Sequence, residues 1–373
     1  MEPDVASIAG HFHIRGAPVD VAAVARGHIN DTYILTARKG EIRTRYVLQR
    51  INHAVFKDPP RMMANITRIT EHIRQKVSQT DPQLARRQLT VIETDDGSGY
   101  HQDIDGNFWR VYNFIEDALT YDTLQSAARA GEAARMFGWF QRMLLDLPGP
   151  PLHDTIPDFH NTRRRLEAFR GVLKADAHNR ARHARCEIDF LLENTKMSDV
   201  LPRLVARGEV PIRIAHNDAK INNVMLDRQT GRGVCVIDLD TVMPGLSLYD
   251  FGDLVRTAAC GAAEDERDLS KVAVNLSLFE ALALGFAAET AGFLTPAERE
   301  HLVFAGKLIT YEQFVRFLTD YLAGDTYYKV SRDRHNLDRS RTQMKLVQSI
   351  LEHEETMNAI VAGAFQDSLG DEK

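Results

Sequence analysis

The stretch from Ile214 to Asp253, IAHNDAKINNVMLDRQTGRGVCVIDLDTVMPGLSLYDFGD, constrains this chain more than any other part of it. Its apolar run Val234-Cys235-Val236-Ile237 is short, rich in β-branched residues and preceded by Arg228-Gln229-Thr230-Gly231-Arg232-Gly233. That order predicts a turn followed by a returning strand, so a hairpin links the two halves of the stretch. Asp and Asn are common in turns for local hydrogen bonding alone, and an isolated acid here would mean little. The combination carries more weight. His216 stands two before Asp218 and Lys220 two after it, Asp238 closes the apolar run, and G-L-S-L-Y-D-F-G-D follows.

Asp218 and Asn223 fit D-x-x-x-x-N, the spacing by which a catalytic loop presents a carboxylate to an attacking hydroxyl and a carboxamide to a magnesium ion during phosphoryl transfer. Mg²⁺ takes hard oxygen ligands and only one or two from protein, a demand that Asn223 and Asp238 meet with one oxygen each. Asp218 must stay ionised within about 3 Å of the acceptor hydroxyl, which suits a rigid loop, and His216 is expected to brace that loop. Lys220 has two readings: a cation offsetting charge on the transferred phosphoryl group, or a solvated lysine.

The segments H-N-D-A-K-I-N-N-V, V-I-D-L-D-T-V-M-P-G and Y-D-F-G-D resemble the aminoglycoside phosphotransferase and choline kinase superfamily, and within it the N-acetylhexosamine 1-kinases. G-H-I-N-D-T-Y from Gly27, V-L-Q-R-I-N-H-A-V-F-K-D-P from Val47 and R-F-L-T-D-Y-L-A-G-D from Arg316 extend the likeness over most of the chain. The resemblance implies an α+β, two-lobe protein-kinase-like fold, with a small, mostly antiparallel β lobe and a larger, mainly helical lobe. It also implies ATP and Mg²⁺ as cofactors and a sugar hydroxyl as acceptor, the anomeric one of an N-acetylhexosamine. Another hydroxylated acceptor, such as an aminoglycoside or a choline-like alcohol, and a pseudokinase without catalysis are the alternatives.

Composition agrees without choosing among these. At 373 residues, 44% hydrophobic and 26% charged, the chain can bury a sizeable core and exceeds the usual single-domain size. A net charge of −6 gives no general attraction to nucleic acid or anionic membrane. No apolar run approaches a bilayer span and the first residues lack a basic, apolar leader pattern, so a cytoplasmic protein is expected. Three scattered cysteines, Cys186, Cys235 and Cys260, fit neither a disulfide framework nor a zinc site and read as packing residues.

Residues 1–115 are expected to form the nucleotide-binding lobe. Tyr33–Ala37, Arg45–Ile51, Leu89–Thr94 and Phe108–Ile115 read as strands, and apolar Met63, Ile66, Ile69, Ile73 and Val77 predict one helix between Pro60 and Gln79. Gly27-His28-Ile29-Asn30-Asp31 is either a loop whose amides cover phosphates or an ordinary turn. Where the superfamily has a phosphate-binding lysine this chain has Gln49, with Arg50 on the opposite strand face. A neutral hydrogen bond from Gln49 to phosphate is expected in its place, and Glu71 keeps only a weak claim to the acidic half of a clamp. Asn113 to Ile115 resemble the hinge whose backbone meets adenine, or else a strand end in the core.

Residues 116–373 are expected to form the catalytic and acceptor-binding lobe. Helical periodicity marks Ala133–Leu147, Leu278–Phe286 and Leu302–Leu322. The arginines between Arg163 and Arg185 share a helix with the buried stripe Leu166, Phe169 and Leu173, which reads as a solvated face and not as a nucleic-acid site. The resemblance gives Asp250 a loop-bracing role, while Asp240 reads as a loop cap or a second metal ligand. Arg316 and Asp320, four apart on one helix face, form either a surface ion pair or, as the resemblance implies, a charged pair on adjacent sugar hydroxyls. Tyr249 and Tyr321 are stacking rings for a sugar or core residues.

Overall fold

The computed structural model describes residues 5–24, 29–121 and 126–370. After α1 (Val5–Ala9) come β1 (Ala17–Val24), β2 (Asp31–Lys39), β3 (Ile42–Ile51), β4 (Val91–Ile92), β5 (His101–Gln102) and β6 (Phe108–Asn113). They pair antiparallel in the order β1-β2-β3-β6-β4, with β5 also against β6. Gly40 turns the β2–β3 hairpin at φ 62°, a left-handed backbone that costs glycine nothing. Two expectations shift here. The strand expected over Leu89–Thr94 pairs only at Val91 and Ile92, and the edge strand β1, with no alternation strong enough to mark it, is present.

Between β3 and β4 lies α2 (Pro59–Thr80), followed by α3 (Pro82–Ala85). Asp58 caps α2 by accepting the Arg61 amide, and Pro59 and Pro60 occupy the first turn, where a missing N–H goes unfelt. The helix buries Met62, Met63, Ile66, Ile69, Ile73 and Val77. That face belongs to the same core as Phe137, Leu239, Phe251 and Phe286, so packing is continuous across Ile115.

After the short β7 (Ala118–Leu119) the chain is mainly helical: α4 (Ala127–Met143), α5 (Thr162–Ala175), α6 (Arg185–Glu193), α7 (Val200–Ala206), then, past the catalytic stretch, α8 (Ser247–Ala258), α9 (Leu276–Thr290), α10 (Pro296–Glu300), α11 (Leu302–Leu322), α12 (His335–Glu352) and α13 (Glu354–Gly370). Inserted among them are β8 (Arg213–Ala215), β9 (Val224–Asp227), β10 (Gly233–Val236) and β11 (Met243–Gly245). β9 and β10 form the expected hairpin, with β7 on the other edge of β9, while β11 pairs with β8. The architecture is therefore α+β, an antiparallel sheet lobe joined to a helical lobe.

Gly252 in Y-D-F-G-D sets where α11 lies. A Cβ there would fall 2.6 Å from the Ala305 carbonyl oxygen, so only glycine lets α8 and α11 approach this closely. Of the cysteines, Cys235 and Cys260 are buried as expected, but Cys186 is exposed, because it falls on the solvent face of the short α6. Among the described residues no helix is long and apolar enough to cross a membrane.

Candidate active site

The catalytic stretch leaves β8 and enters a loop held almost entirely by internal partners. Asp250, fully buried on α8, accepts hydrogen bonds from the amides of His216 (2.9 Å) and Asn217 (2.8 Å) and from Gln141 Nε2 (2.6 Å). His216, also buried, places Nε2 3.0 Å from the Ile237 carbonyl and takes the Asp218 amide on Nδ1 at 3.3 Å. A carbonyl only accepts, so this ring carries its proton on Nε2 and joins the loop before Asp218 to the strand end before Asp238. Asn217 and Asp238 both sit in the left-handed region, at φ 63° and 61°. Asn and Asp are the side chains that tolerate it best, at about 1 kcal/mol each.

Lys220 Nζ lies 2.8 Å from Asp218 Oδ2, and both side chains reach the cleft. Burial opposes ionisation of Asp218, but Lys220, with Arg256 behind it, holds the carboxyl below its usual range. Asp238 goes the other way. Desolvation by the surrounding chain, then the charges of Asp240 and Asp218, push it up to about 6, although its side chain remains open to solvent. Its carboxylate makes no hydrogen bond or ion pair among the described residues.

Asn223 donates from Nδ2 to the Asp218 carbonyl (2.8 Å) and to Asp218 Oδ2 (3.3 Å), which turns its amide nitrogen inward and leaves Oδ1 without a partner. The Ile237 amide bonds the Asn223 carbonyl at 2.9 Å, setting the two segments side by side. An unengaged carboxamide oxygen and an unengaged, electrostatically crowded carboxylate are the hard donor set that a divalent cation fits.

The nucleotide side departs from expectation. Gln49 donates from Nε2 to Thr32 Oγ1 (3.0 Å) and accepts Arg110 Nε on Oε1 (3.0 Å), so its amide is engaged within the sheet. Arg110, on β6, is 1% exposed and forms a two-pronged pair with Asp240, itself 3% exposed. Asn30 completes the cluster, donating to Asp240 Oδ2 at 2.7 Å and accepting the Asn52 amide on Oδ1 at 3.0 Å. Both Asp240 oxygens are engaged, Oδ1 by Arg110 and Oδ2 by Arg110 and Asn30, so the carboxylate links the sheet to the loop after Asp238. Asn30 is likewise occupied internally, tying the segment before β2 to the loop after Asp238.

Glu71 is exposed on α2 and forms no clamp; Met63 is the α2 residue beside Arg110. Arg50 pairs with Asp31 at the surface. Asn113 spends its side chain on the Thr90 amide and the Gln88 carbonyl, and its own N–H on the Thr90 carbonyl, which removes it as an adenine contact. At Ile115 neither backbone N–H nor carbonyl has a hydrogen-bond partner among the described residues, leaving a free donor and acceptor at the end of β6. Gly27 and His28 lie outside the described residues.

A profile described as phosphotransferase enzyme family (APH) matches residues 20–284, well over half the chain. The chain belongs to that family. The fold is also that of solved family structures. An aminoglycoside phosphotransferase from Alicyclobacillus acidocaldarius superposes with a TM-score of 0.58 at 14% identity, over 98% of this chain and 96% of that one. Spectinomycin phosphotransferase APH(9)-Ia, solved with ADP and spectinomycin, gives 0.56 at 12% identity over 94% and 97%. Choline kinase from Cryptosporidium parvum gives 0.54 at 13% identity over 95% of each chain.

On α11, Arg316 and Asp320 do not form the expected pair. Asp320 is buried and accepts the amides of Thr326, Tyr327 and Tyr328 and the Asn336 Nδ2, all at 2.8–2.9 Å. It is the anchor of the loop after α11, with no free oxygen for a substrate. Arg316 makes no ion pair among the described residues; its one hydrogen bond runs to Gln313 Oε1 at 3.1 Å. Its guanidinium sits 5.8 Å from the Phe159 ring centre and 5.7 Å from that of Tyr328, within the fields of Glu312 and Asp218. Tyr249 is half-buried against the His160 ring, with centroids 4.7 Å apart, whereas Tyr321 is buried in the α5–α11 core.

Sequence reasoning missed Arg110, His160 and Glu312. Each acts through a partner more than a hundred residues away, and no local spacing announces it.

Proposed function

We propose that this phosphotransferase moves the γ-phosphoryl group of ATP to a hydroxyl of an uncharged sugar, the anomeric hydroxyl of an N-acetylhexosamine. One observation carries the choice of a neutral acceptor: among the described residues Arg316 makes no ion pair, and its guanidinium lies 5.8 Å and 5.7 Å from the Phe159 and Tyr328 ring centres. The other acids nearby are compensated, Glu312 by His160 and Asp253 by Arg256. A cationic acceptor would meet an unpaired guanidinium, whereas sugar hydroxyls can bond it and sugar faces can stack on Phe159 and Tyr328. The N-acetylhexosamine itself is supported by the likeness of the R-F-L-T-D stretch, of which Arg316 and not Asp320 is open to an acceptor.

In this reading the lobe of residues 1–115 covers the nucleotide and Ile115 offers its backbone to adenine. Asn223 Oδ1 and the Asp238 carboxylate hold Mg²⁺, which neutralises phosphate charge when bound. Asp218, kept ionised by Lys220, orients the acceptor hydroxyl and takes its proton as the oxygen attacks phosphorus and the bond to ADP breaks. Lys220, 2.8 Å from Asp218 Oδ2, would offset charge developing on the phosphoryl oxygens.

The test is ADP production with Mg²⁺ across free hexoses, N-acetylhexosamines, aminoglycosides and choline, beside an Asp218→Asn protein. Turnover on an N-acetylhexosamine to a non-reducing product, lowered ~10²–10⁴-fold in the variant with nucleotide affinity unchanged, is expected. Turnover confined to cationic acceptors would overturn the reading.

A further inference from the structure

His160 lies between α4 and α5, one residue before the α5 cap Asn161. Its side chain is 8% exposed and that of Glu312, on α11, only 2%. Nδ1 is 2.9 Å from Glu312 Oε1 and Nε2 is 2.8 Å from the Asn217 carbonyl oxygen, while the other Glu312 oxygen takes the Thr162 hydroxyl at 2.6 Å. A carbonyl can only accept, and so can an ionised carboxylate. The two contacts together require two protons on the pair, satisfied by an imidazolium against a glutamate.

The Asn217 carbonyl belongs to the peptide that carries Asp218. The other end of that peptide, the Asp218 N–H, is held by His216 Nδ1. One peptide plane is thus gripped at its oxygen by His160 and at its nitrogen by His216, and its rotation sets where the Asp218 carboxylate points. Glu312 stands one helical turn from Arg316, on the same face of α11.

We propose that His160 is a positioning residue for Asp218, and that with Glu312 it couples the alignment of the catalytic carboxylate to the turn of α11 that meets the acceptor. The proposal rests on the reading of Asp218 as the group that receives the acceptor proton. It assigns His160 no contact with either substrate.

Three proteins test it: His160→Gln, His160→Ala and Glu312→Gln. In Glu312→Gln a neutral ring still donates Nε2–H to Asn217 and accepts the new amide on Nδ1, so the grip survives without its charge. Nucleotide affinity by calorimetry, kcat, acceptor KM and the ¹⁵N shifts of the histidine side chains are compared with the parent. The expected result is a His160→Ala protein whose nucleotide affinity matches the parent within about twofold while kcat falls roughly a hundredfold, as for a small misplacement of a reacting group. Glu312→Gln should keep most of kcat, and the parent spectrum should contain one doubly protonated ring near neutral pH that is missing from His160→Gln.

An unchanged kcat in His160→Ala would overturn the proposal, as would nucleotide affinity and kcat falling in parallel, the mark of general loosening. Should His160→Ala not fold, His160→Leu, which fills the site and offers no donor to the Asn217 carbonyl, decides on the same criteria. An Asp218→Asn protein of undiminished turnover would instead remove the reading on which the proposal stands, whatever the His160 variants do.

Discussion

Arg110 and Arg316 are guanidiniums of the same chemistry placed on the two sides of one cleft, and they differ in what answers their charge. Arg110 is closed off, with Asp240 taking both prongs and Gln49 taking Nε. Arg316 has a glutamine oxygen, two aromatic faces and no carboxylate within ion-pair distance. A buried charge is tolerated only when paired, so the compensated arginine belongs to the framework and the uncompensated one is available to a ligand. The same contrast explains the missing lysine. Gln49, where the resemblance implies a phosphate-binding lysine, orients Arg110, and the cationic link from the sheet to the loop after Asp238 runs through Arg110 and Asp240.

The strongest test of this contrast is Arg110→Met, which strands Asp240 in the interior. It should destabilise the protein by about 3–5 kcal/mol in urea unfolding, and Arg110→Met combined with Asp240→Leu should recover part of the loss. A variant as stable as the parent would break the comparison at once. Arg316→Met should leave stability within about 0.5 kcal/mol. Its acceptor KM should nevertheless rise roughly 10–100-fold, the worth of charge-assisted hydrogen bonds to a ligand. An unchanged KM would mean that the open guanidinium serves no acceptor.

Restoring the superfamily residue sharpens the point further. Gln49→Lys sets a second cation beside Arg110 and removes an acceptor, so we expect about 1 kcal/mol less stability and no gain in nucleotide affinity by calorimetry. Tighter nucleotide binding would show that the lysine is simply absent and not replaced.

The smallest effect is in pH. Burial opposes charge on both His160 and Glu312, yet Glu312 and the Asn217 carbonyl hold the ring above its ordinary value of 6.5, and His160, Thr162 and Arg316 hold the carboxyl below 4.5. Tyr249, Arg316 and Asp253 are the other titratable or charged groups facing the pair. The His160 contribution is full below pH 6.5 and fades as pH rises through the raised value. That of Glu312 is full above pH 4.5 and fades as pH falls through the lowered one. Unfolding free energy followed against pH should therefore lose its alkaline decline in His160→Gln; an unaltered decline would place the titration elsewhere.

Much of the catalytic hairpin was legible because its information is local. Asp218, Asn223 and Asp238 are brought together by a loop, a turn and one strand pair, whose apolar run, Gly-containing turn and D-x-x-x-x-N spacing can be read in order. The α2 and α11 helices were legible for the same reason, since a helix repeats its apolar face every three or four residues. The nucleotide side was harder. Asn30, Gln49 and Asn113 were read as nucleotide contacts and have internal partners instead, because a hydrogen-bonding side chain does not disclose whether its partner is a ligand or another strand.

The charge network lay furthest from view. Arg110 and Asp240 are 130 residues apart and His160 and Glu312 are 152 apart, and neither pair has a spacing to detect. Arg316 and Asp320 show the converse, four apart and on one helix, yet sent to different tasks by the loop that wraps Asp320. By itself the sequence determined much of the backbone: where the catalytic-stretch hairpin turns, where α2 and α11 run, and that Asp218, Asn223 and Asp238 fall side by side. Which charges are closed against one another and which are left open was decided only by the tertiary structure, because compensation depends on what the rest of the chain brings within about 3 Å of each buried group.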